Sequence, residues 1–336
     1  MTLPDFTRLT DLAQPRLGGE VVYATDDFFA DKARLIAPAD PVFIPDKYDD
    51  HGKWMDGWES RRKRTPGHDY CVVKLGRPGV IAGFEIDTRY FTGNYPPAAS
   101  IEACSSPLLA PGENAGWETL VPRTELKGDD RRFIAVDDGR VRTHVRLNIF
   151  PDGGVARLRV YGRVHMDWPA IGSEKMIDLA AMEFGGRGVA CNDAHFGKLS
   201  NLIAPGRGVN MGDGWETRRR REPGYDWAII ELAHPGMIEE IVVDTAHFKG
   251  NYPDRCSLQA IGQARGDDAA IAAAAESWPA LLPEQKLEAD REHRFSAEIA
   301  PHQPVRFVRL NIFPDGGVSR LRLLGRAVNA GDSIAL

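Results

Sequence analysis

Glu59, Arg61, Arg62, Arg64 and Asp69 lie in one short stretch, "DGWESRRKRTPGHD" (residues 56–69). The same types return as Glu216, Arg218, Arg219, Arg221 and Asp226 in "DGWETRRRREPGYD" (residues 213–226). Arginine grips a carboxylate with two parallel hydrogen bonds, which lysine cannot do. Arginines clustered beside Glu and Asp suit a small ligand that carries a carboxylate together with several N–H or C=O groups. An arginine run on a loop is more often merely solvated. Here it is bounded by Gly-Trp and Pro-Gly, and it kept its letters through duplication while Ser60 became Thr217, Lys63 became Arg220 and Thr65 became Glu222.

Two further phrases are doubled. "DTRYFTGNYP" (87–96) returns as "DTAHFKGNYP" (244–253), and "RLNIFPDGGVARLRVYG" (146–162) returns as "RLNIFPDGGVSRLRLLG" (309–325). Asp87 and Asp244 sit where a strand pattern gives way to a Gly-Asn-Tyr-Pro turn, a place where a β scaffold mounts a site. Asn94 and Asn251 lie in those turns. Asn148 and Asn311 interrupt apolar neighbours and are expected to aim polar groups from a sheet face at a nearby loop.

Histidines break the symmetry. His68 stands where the second copy has Tyr225, while His247 and His195 stand where the first has Tyr90 and Phe28. Histidine titrates near neutrality, which makes His247 beside the Asp244 block a proton-transfer candidate and favours the second copy as the working half. No H-x-H, H-E-x-x-H, cysteine cluster, nucleotide loop or G-x-S-x-G occurs, so no metal or cofactor is expected. A loosely held divalent ion stays compatible with the scattered Asp and Glu.

The elements that must position these residues are β. "DYCVVKLG" and "DWAIIELA" are short Val/Ile-rich runs, "VIAGFEIDTRYF" and "MIEEIVVDTAHF" alternate apolar and polar letters, and the Phe-Pro-Asp-Gly-Gly phrase reads as strand, tight turn, strand. The 336 residues suit two domains. All blocks recur in the same order, so the chain is a domain-sized duplication, divided as residues 1–168 and 169–336. Copy one has a longer early loop around "DPVFIPDKYDDHGK" and copy two a longer late segment around "ARGDDAAIAAAAESWPALLPEQ". Met176, Leu179 and Met182 at helical spacing predict an amphipathic helix after the boundary. Together these features predict an all-β fold of two tandem β-sandwiches. A net charge of −6 argues against nucleic acid, and no run approaches a membrane span. The N-terminal stretch lacks an apolar signal core, so cytoplasmic residence is expected. Cys71, Cys104, Cys191 and Cys256 form no C-x-x-C pair and read as reduced, packed thiols.

Two resemblances follow from these phrases. The closing Arg-Leu-x-x-x-Gly after a Gly turn resembles the end of discoidin-like, galactose-binding-like jelly rolls. The three paired blocks, in order and in both halves, resemble the allantoicase family over about residues 18–326. That resemblance implies a duplicated jelly roll acting on allantoate, with ureidoglycolate and urea as products, and a homo-oligomer. Arg61 with Arg64, or Arg218 with Arg221, and their neighbours Arg62 and Arg219, would then hold the substrate carboxylate. Glu59 with Asp69, or Glu216 with Asp226, would take ureido N–H groups, with Asn94, Asn251, Asn148 and Asn311 as further polar contacts. Asp87, Asp244, His247, Glu59 and Glu216 form the catalytic set. A binding module without catalysis is the rival reading, and Trp58, Trp215, Tyr95 and Tyr252 would be its exposed aromatic platforms.

Overall fold

A computed structural model describes residues 3–328. The chain forms two compact units, Met1–His165 and Met166–Leu336. The principal strands of the first are β1 (Asp69–Asp87), β2 (Ala98–Cys104), β3 (Val141–Phe150) and β4 (Arg157–Val164). Those of the second are β5 (Asp226–Asp244), β6 (Arg255–Ile261), β7 (Val305–Phe313) and β8 (Arg320–Ala327). Each unit is all-β apart from short helical turns, with the same strand order and all pairs antiparallel.

β1 organises its unit because it doubles back. Its first half pairs with β3 (Asp69 opposite Ile149, Lys74 opposite His144), and its second half pairs with β4 (Gly79 opposite Val164, Asp87 opposite Arg157). A straight strand from Asp69 to Asp87 would span about 60 Å. Its partners Ile149 and Arg157 are separated by a short connection that can reach at most about 29 Å. Both ends of β1 therefore lie at one rim, and the reversal falls at "GRPG" (76–79), where Pro78 has no N–H to give a ladder. β5 repeats this between β7 and β8, turning at "AHPG" (233–236).

Alternation along β1, β3 and β4 sends Val73, Phe84, Leu147, Ile149, Leu158 and Val160 into a core shared with Trp58 and Ile101. In the second unit the extra late segment adds a helix, Asp268–Ala274. Asp267 caps it by accepting from the Ala270 amide, and Ile271 seats it on Val189, Trp278 and Phe307.

Two expectations are corrected. The Phe-Pro-Asp-Gly-Gly phrase is not a hairpin: β3 and β4 pair with opposite halves of β1 and not with each other, so the phrase is a crossing between layers. The stretch around Met176–Met182 is not a helix. It contains a short strand at Ile177–Asp178 and a 3-10 turn at Met182–Phe184, and a single helical turn, Trp168–Ile171, precedes it. Cys71, Cys104, Cys191 and Cys256 are free thiols. Among the described residues no helix is long and apolar enough to cross a membrane.

Candidate active site

The layer-crossing loop is where the three doubled phrases meet. In the first unit Pro151 O accepts from the Asp69 amide (3.0 Å), Gly153 O accepts from the Ser60 amide (3.1 Å), and the Gly154 amide donates to Asn94 O (2.7 Å). The Asp152 carboxylate accepts from the Lys63 amide at 2.7 Å. The second unit repeats all four: Pro314 with Asp226 (3.2 Å), Gly316 with Thr217 (3.1 Å), Gly317 with Asn251 (2.8 Å) and Asp315 with Arg220 (2.9 Å). The paired glycines are needed. Gly153 and Gly316 sit at φ +135° and +136°, and a Cβ on Gly154 or Gly317 would lie 2.0 Å from the ring of Phe91 or Phe248. The repeated Asp152 and Asp315 are thus structural hubs. So are the repeated Arg157 and Arg320, which are buried and pair at 2.8 Å with Asp56 and Asp213 of the first phrase.

The functional side chains stand on this frame. Glu59 lies on a two-residue strand, Trp58–Glu59, paired with Gly154–Val155. It accepts one hydrogen bond, from the Asn94 amide group at 2.7 Å, and burial pushes its carboxyl above the usual glutamate range. Glu216 is met in the same way by Asn251. Asp69 is almost fully buried and accepts from Lys63 Nζ (2.8 Å) and Thr25 Oγ1 (2.9 Å). Asp226 accepts from Arg220 (2.7 Å) and Asn192 (2.9 Å), while its second oxygen and Arg220 Nε are buried without a partner. Lys63 and Arg220 differ in letter between the two copies. They are one cation exchanged for another at the position that neutralises the buried aspartate, and the shared charge was the signal.

The arginines divide into two kinds. Arg61 is tied through its amide and guanidinium to Asp26, and Arg218 likewise to Asp193. Arg62, Arg64, Arg219 and Arg221 are exposed and carry no hydrogen bond or ion pair among the described residues. The free guanidinium groups are therefore Arg62 with Arg64 and Arg219 with Arg221, in place of the expected pairing of Arg61 with Arg64 and of Arg218 with Arg221.

Asn148 donates to Ser100 Oγ (3.2 Å) and Glu102 (2.9 Å), and its oxygen meets His68 Nε2 at 3.2 Å. Asn311 donates to Ser257 Oγ (3.2 Å) and Gln259 (3.1 Å), but its oxygen is buried without a partner because Tyr225 replaces the histidine. The Tyr225 hydroxyl instead accepts from Arg309 at 3.5 Å.

The remaining catalytic candidates are engaged elsewhere. Asp87 is completely buried and held on both oxygens by Arg89, which also reaches Asp40. Asp244, equally buried, accepts from the Ala246 amide (2.8 Å) and from Arg207 Nε (3.2 Å). His247 adopts φ 73°, anchors its amide on Asp290, and donates from Nε2 to the Gly208 carbonyl at 2.8 Å. Among the described residues His247 has no hydrogen bond to Glu216, Asp226 or Asn251. Trp58 and Trp215 are fully buried, each donating from its indole at 2.8 Å to a backbone carbonyl, of Asp26 and Asp193, so neither is a sugar platform. No group of three His, Cys, Asp or Glu side chains among the described residues is placed to hold a metal ion.

The fold and rim define a duplicated all-β protein with a charged, loop-built site in each half. The allantoicase repeat model matches residues 10–165 and again 177–328. A Burkholderia mallei protein named "Probable allantoicase 1" is 59% identical over 323 residues, 96% of each chain. A Photobacterium profundum protein named "Probable allantoicase" is 55% identical, over 96% of this chain and 97% of its own. The crystal structure of allantoicase from Saccharomyces cerevisiae superimposes with a TM-score of 0.79 at 36% identity, covering 94% of this chain and 92% of the other. The chain belongs to the allantoicase family.

Proposed function

We propose that the chain hydrolyses allantoate to ureidoglycolate and urea at the loop rim of its jelly-roll sandwiches, without a nucleotide, redox cofactor or metal. Allantoate carries a carboxylate and two ureido groups on one carbon, and one C–N bond at that carbon must break. Urea leaves only if its nitrogen is protonated, so a general acid is required. Glu59 carries the assignment: burial raises its carboxyl above the usual glutamate range, which favours the acid form, and one oxygen stays clear of Asn94. Arg62 and Arg64 follow on the same segment, pinned at Ser60 and Lys63, and grip the substrate carboxylate. The remaining ureido nitrogen pushes its electrons in as the bond breaks and leaves an acylimine-like carbon. Asp69 and Asn148 accept its N–H groups. Water adds to that carbon, giving up its proton to the Glu59 carboxylate formed in the first step. The second unit offers Glu216, Arg219, Arg221, Asp226 and Asn311 for the same roles.

The binding-module reading loses two of its four aromatic platforms, Trp58 and Trp215, to the core and keeps only the half-buried Tyr95 and Tyr252. Cytoplasmic residence fits the four free thiols, and self-association into a homo-oligomer belongs to the same reading. The test is urea release from allantoate by the purified chain and by the Glu59→Gln/Glu216→Gln variant. Urea release at background by the folded wild-type chain removes the hydrolase reading, and full activity in the variant removes the assignment of the acid.

A further inference from the structure

The two units treat the outer face of their second layer differently. In the first, Phe6 packs where Gly83 has no side chain: a Cβ there would lie 2.5 Å from the ring. The Phe6 ring also meets Tyr161 and Phe133, at 5.9 and 6.5 Å between centroids. Strand register fixes the equivalents in the second unit. Tyr161 pairs with Asp11 and Gly83, and Leu324 with Asp178 and Glu240. Phe133 lies opposite Glu85, and Arg294 opposite Val242. Each aromatic of the plug is thereby replaced, and Ser173 stands at the place of Phe6 in the chain.

A cavity of about 380 Å³ occupies this face of the second unit, lined among others by Asp178, Arg207, Asp244, Glu292, Arg294 and Arg322. Its size suits a small polar molecule. Both signs of charge line it, and the cations are unequally committed. Arg322 is held by Asp178 and by the carbonyls of Ala204 and Gly206. Arg207 is 63% exposed and spends only Nε, at 3.2 Å, on Asp244, leaving its outer nitrogens without a partner among the described residues. Arg294 is bonded to Glu240 (2.6 Å) and Glu292 (2.8 Å), and Glu292 is 40% exposed. The loop carrying Arg207 is fixed from behind, where Gly208 O takes the His247 hydrogen bond and Gly206 O takes Arg320.

We infer that this cavity is a second binding site in the second unit, distinct from the site built on Glu216, Arg219 and Arg221, for a small ureido acid of the kind the reaction consumes. The choice of ligand rests on the hydrolase reading. Its carboxylate is taken by the outer nitrogens of Arg207, a two-pronged contact of the usual guanidinium kind, with Arg294 beside them. Its N–H groups donate to Glu292 and Asp244.

The experiment is calorimetric titration of the full-length Glu59→Gln/Glu216→Gln chain with allantoate, with and without changes in the cavity. Arg207→Ala lies on an exposed loop, and it should weaken one class of binding tenfold or more. Arg294→Phe with Leu324→Tyr rebuilds part of the aromatic plug and should lower the stoichiometry by one per chain. Isotherms that are unchanged in both, or that show no allantoate binding at all, overturn the proposal. If the plug variant fails to fold, Arg207→Ala decides alone. Urea release is followed separately in chains with an intact rim. Loss of a binding class in Arg207→Ala with no urea release by wild type keeps this site and removes the hydrolase reading. Urea release with an unaltered isotherm does the reverse.

Discussion

The Glu59 carboxylate takes a 2.7 Å hydrogen bond from the Asn94 amide group, which joins the arginine-rich segment to the Gly-Asn-Tyr-Pro turn across 35 residues of sequence. A single neutral donor orients a partly buried carboxyl without forcing it to ionise. Glu59→Gln and Glu216→Gln should each keep the fold, and together they should lower kcat for urea release by about 10²-fold or more, the lower range for a lost general acid. Steady-state kinetics on allantoate checks this.

The same carboxyl has a signature in stability. Burial raises the folded-state pKa of Glu59 above its ordinary 4.5, so the folded chain binds the proton more tightly than the unfolded one. Stability therefore declines as pH rises from the ordinary value through the raised one. Glu59→Gln should flatten that part of the curve, and denaturant unfolding at a series of pH values would show it. An equal slope in both proteins would mean the site is not desolvated in solution.

Arg62→Lys with Arg64→Lys, and the same changes at Arg219 and Arg221, keep the charge and remove the two-pronged grip. A charge-assisted hydrogen bond is worth about 1.5–3 kcal/mol, so kcat/KM should fall about ten- to a hundredfold. Arg61→Lys and Arg218→Lys, whose partners Asp26 and Asp193 remain in place, should change kcat/KM much less. If all four positions respond alike, the division between free and tethered guanidinium groups is wrong.

The arginine that neutralises the strand-end aspartate has moved between copies. Arg89 holds Asp87 from two residues along, facing Asp40 on the early loop; in the second unit Ala246 stands in its place, and Arg207 reaches Asp244 from that loop. Arg89→Ala leaves a fully buried carboxylate unpaired and should cost about 3–5 kcal/mol. Arg207 is far more exposed and spends only Nε on Asp244, so Arg207→Ala should cost less than Arg89→Ala. Thermal and denaturant unfolding of the two variants should separate them clearly.

Asn311 offers a gain. In the first unit His68 gives Asn148 its third partner; in the second the equivalent oxygen has none. Tyr225→His should stabilise the protein by about 0.5–1.5 kcal/mol, the worth of one ordinary hydrogen bond. A lower or unmoved denaturation midpoint would show that the Tyr225 contact with Arg309 matters more.

The duplication, the β class and the residues of the rim were legible because polar letters that the fold holds in place repeat in both copies. Asp152, Arg157 and the paired glycines are such letters, and each has a partner across the loop or a ring against it. Partnership between strands was not legible. β3 and β4 look like a hairpin because a Pro-Asp-Gly-Gly turn lies between them, and no local signal says that both pair instead with a doubled strand far upstream. The spacing of Met176, Leu179 and Met182 matches a helix, yet Met176 is exposed while Leu179 is buried from a turn and Met182 from a 3-10 turn. His247 stands out in the sequence as a histidine where the first copy has Tyr90. Its ring is occupied by the Gly208 carbonyl, a long-range contact that residue type cannot reveal.

The loop at Pro151–Gly154 belongs to no long strand, yet it accepts backbone hydrogen bonds from Ser60 and Asp69 and donates one to Asn94, as its twin at Pro314–Gly317 does with Thr217, Asp226 and Asn251. Amides of Ser60, Asp69 and Gly154 should therefore resist deuterium exchange as strongly as those of the sheets and open only when the whole domain does. The rim would then have no soft, adjustable state of its own. Its recognition geometry is set at the moment the two layers close, and a ligand meets a finished surface rather than one it must shape.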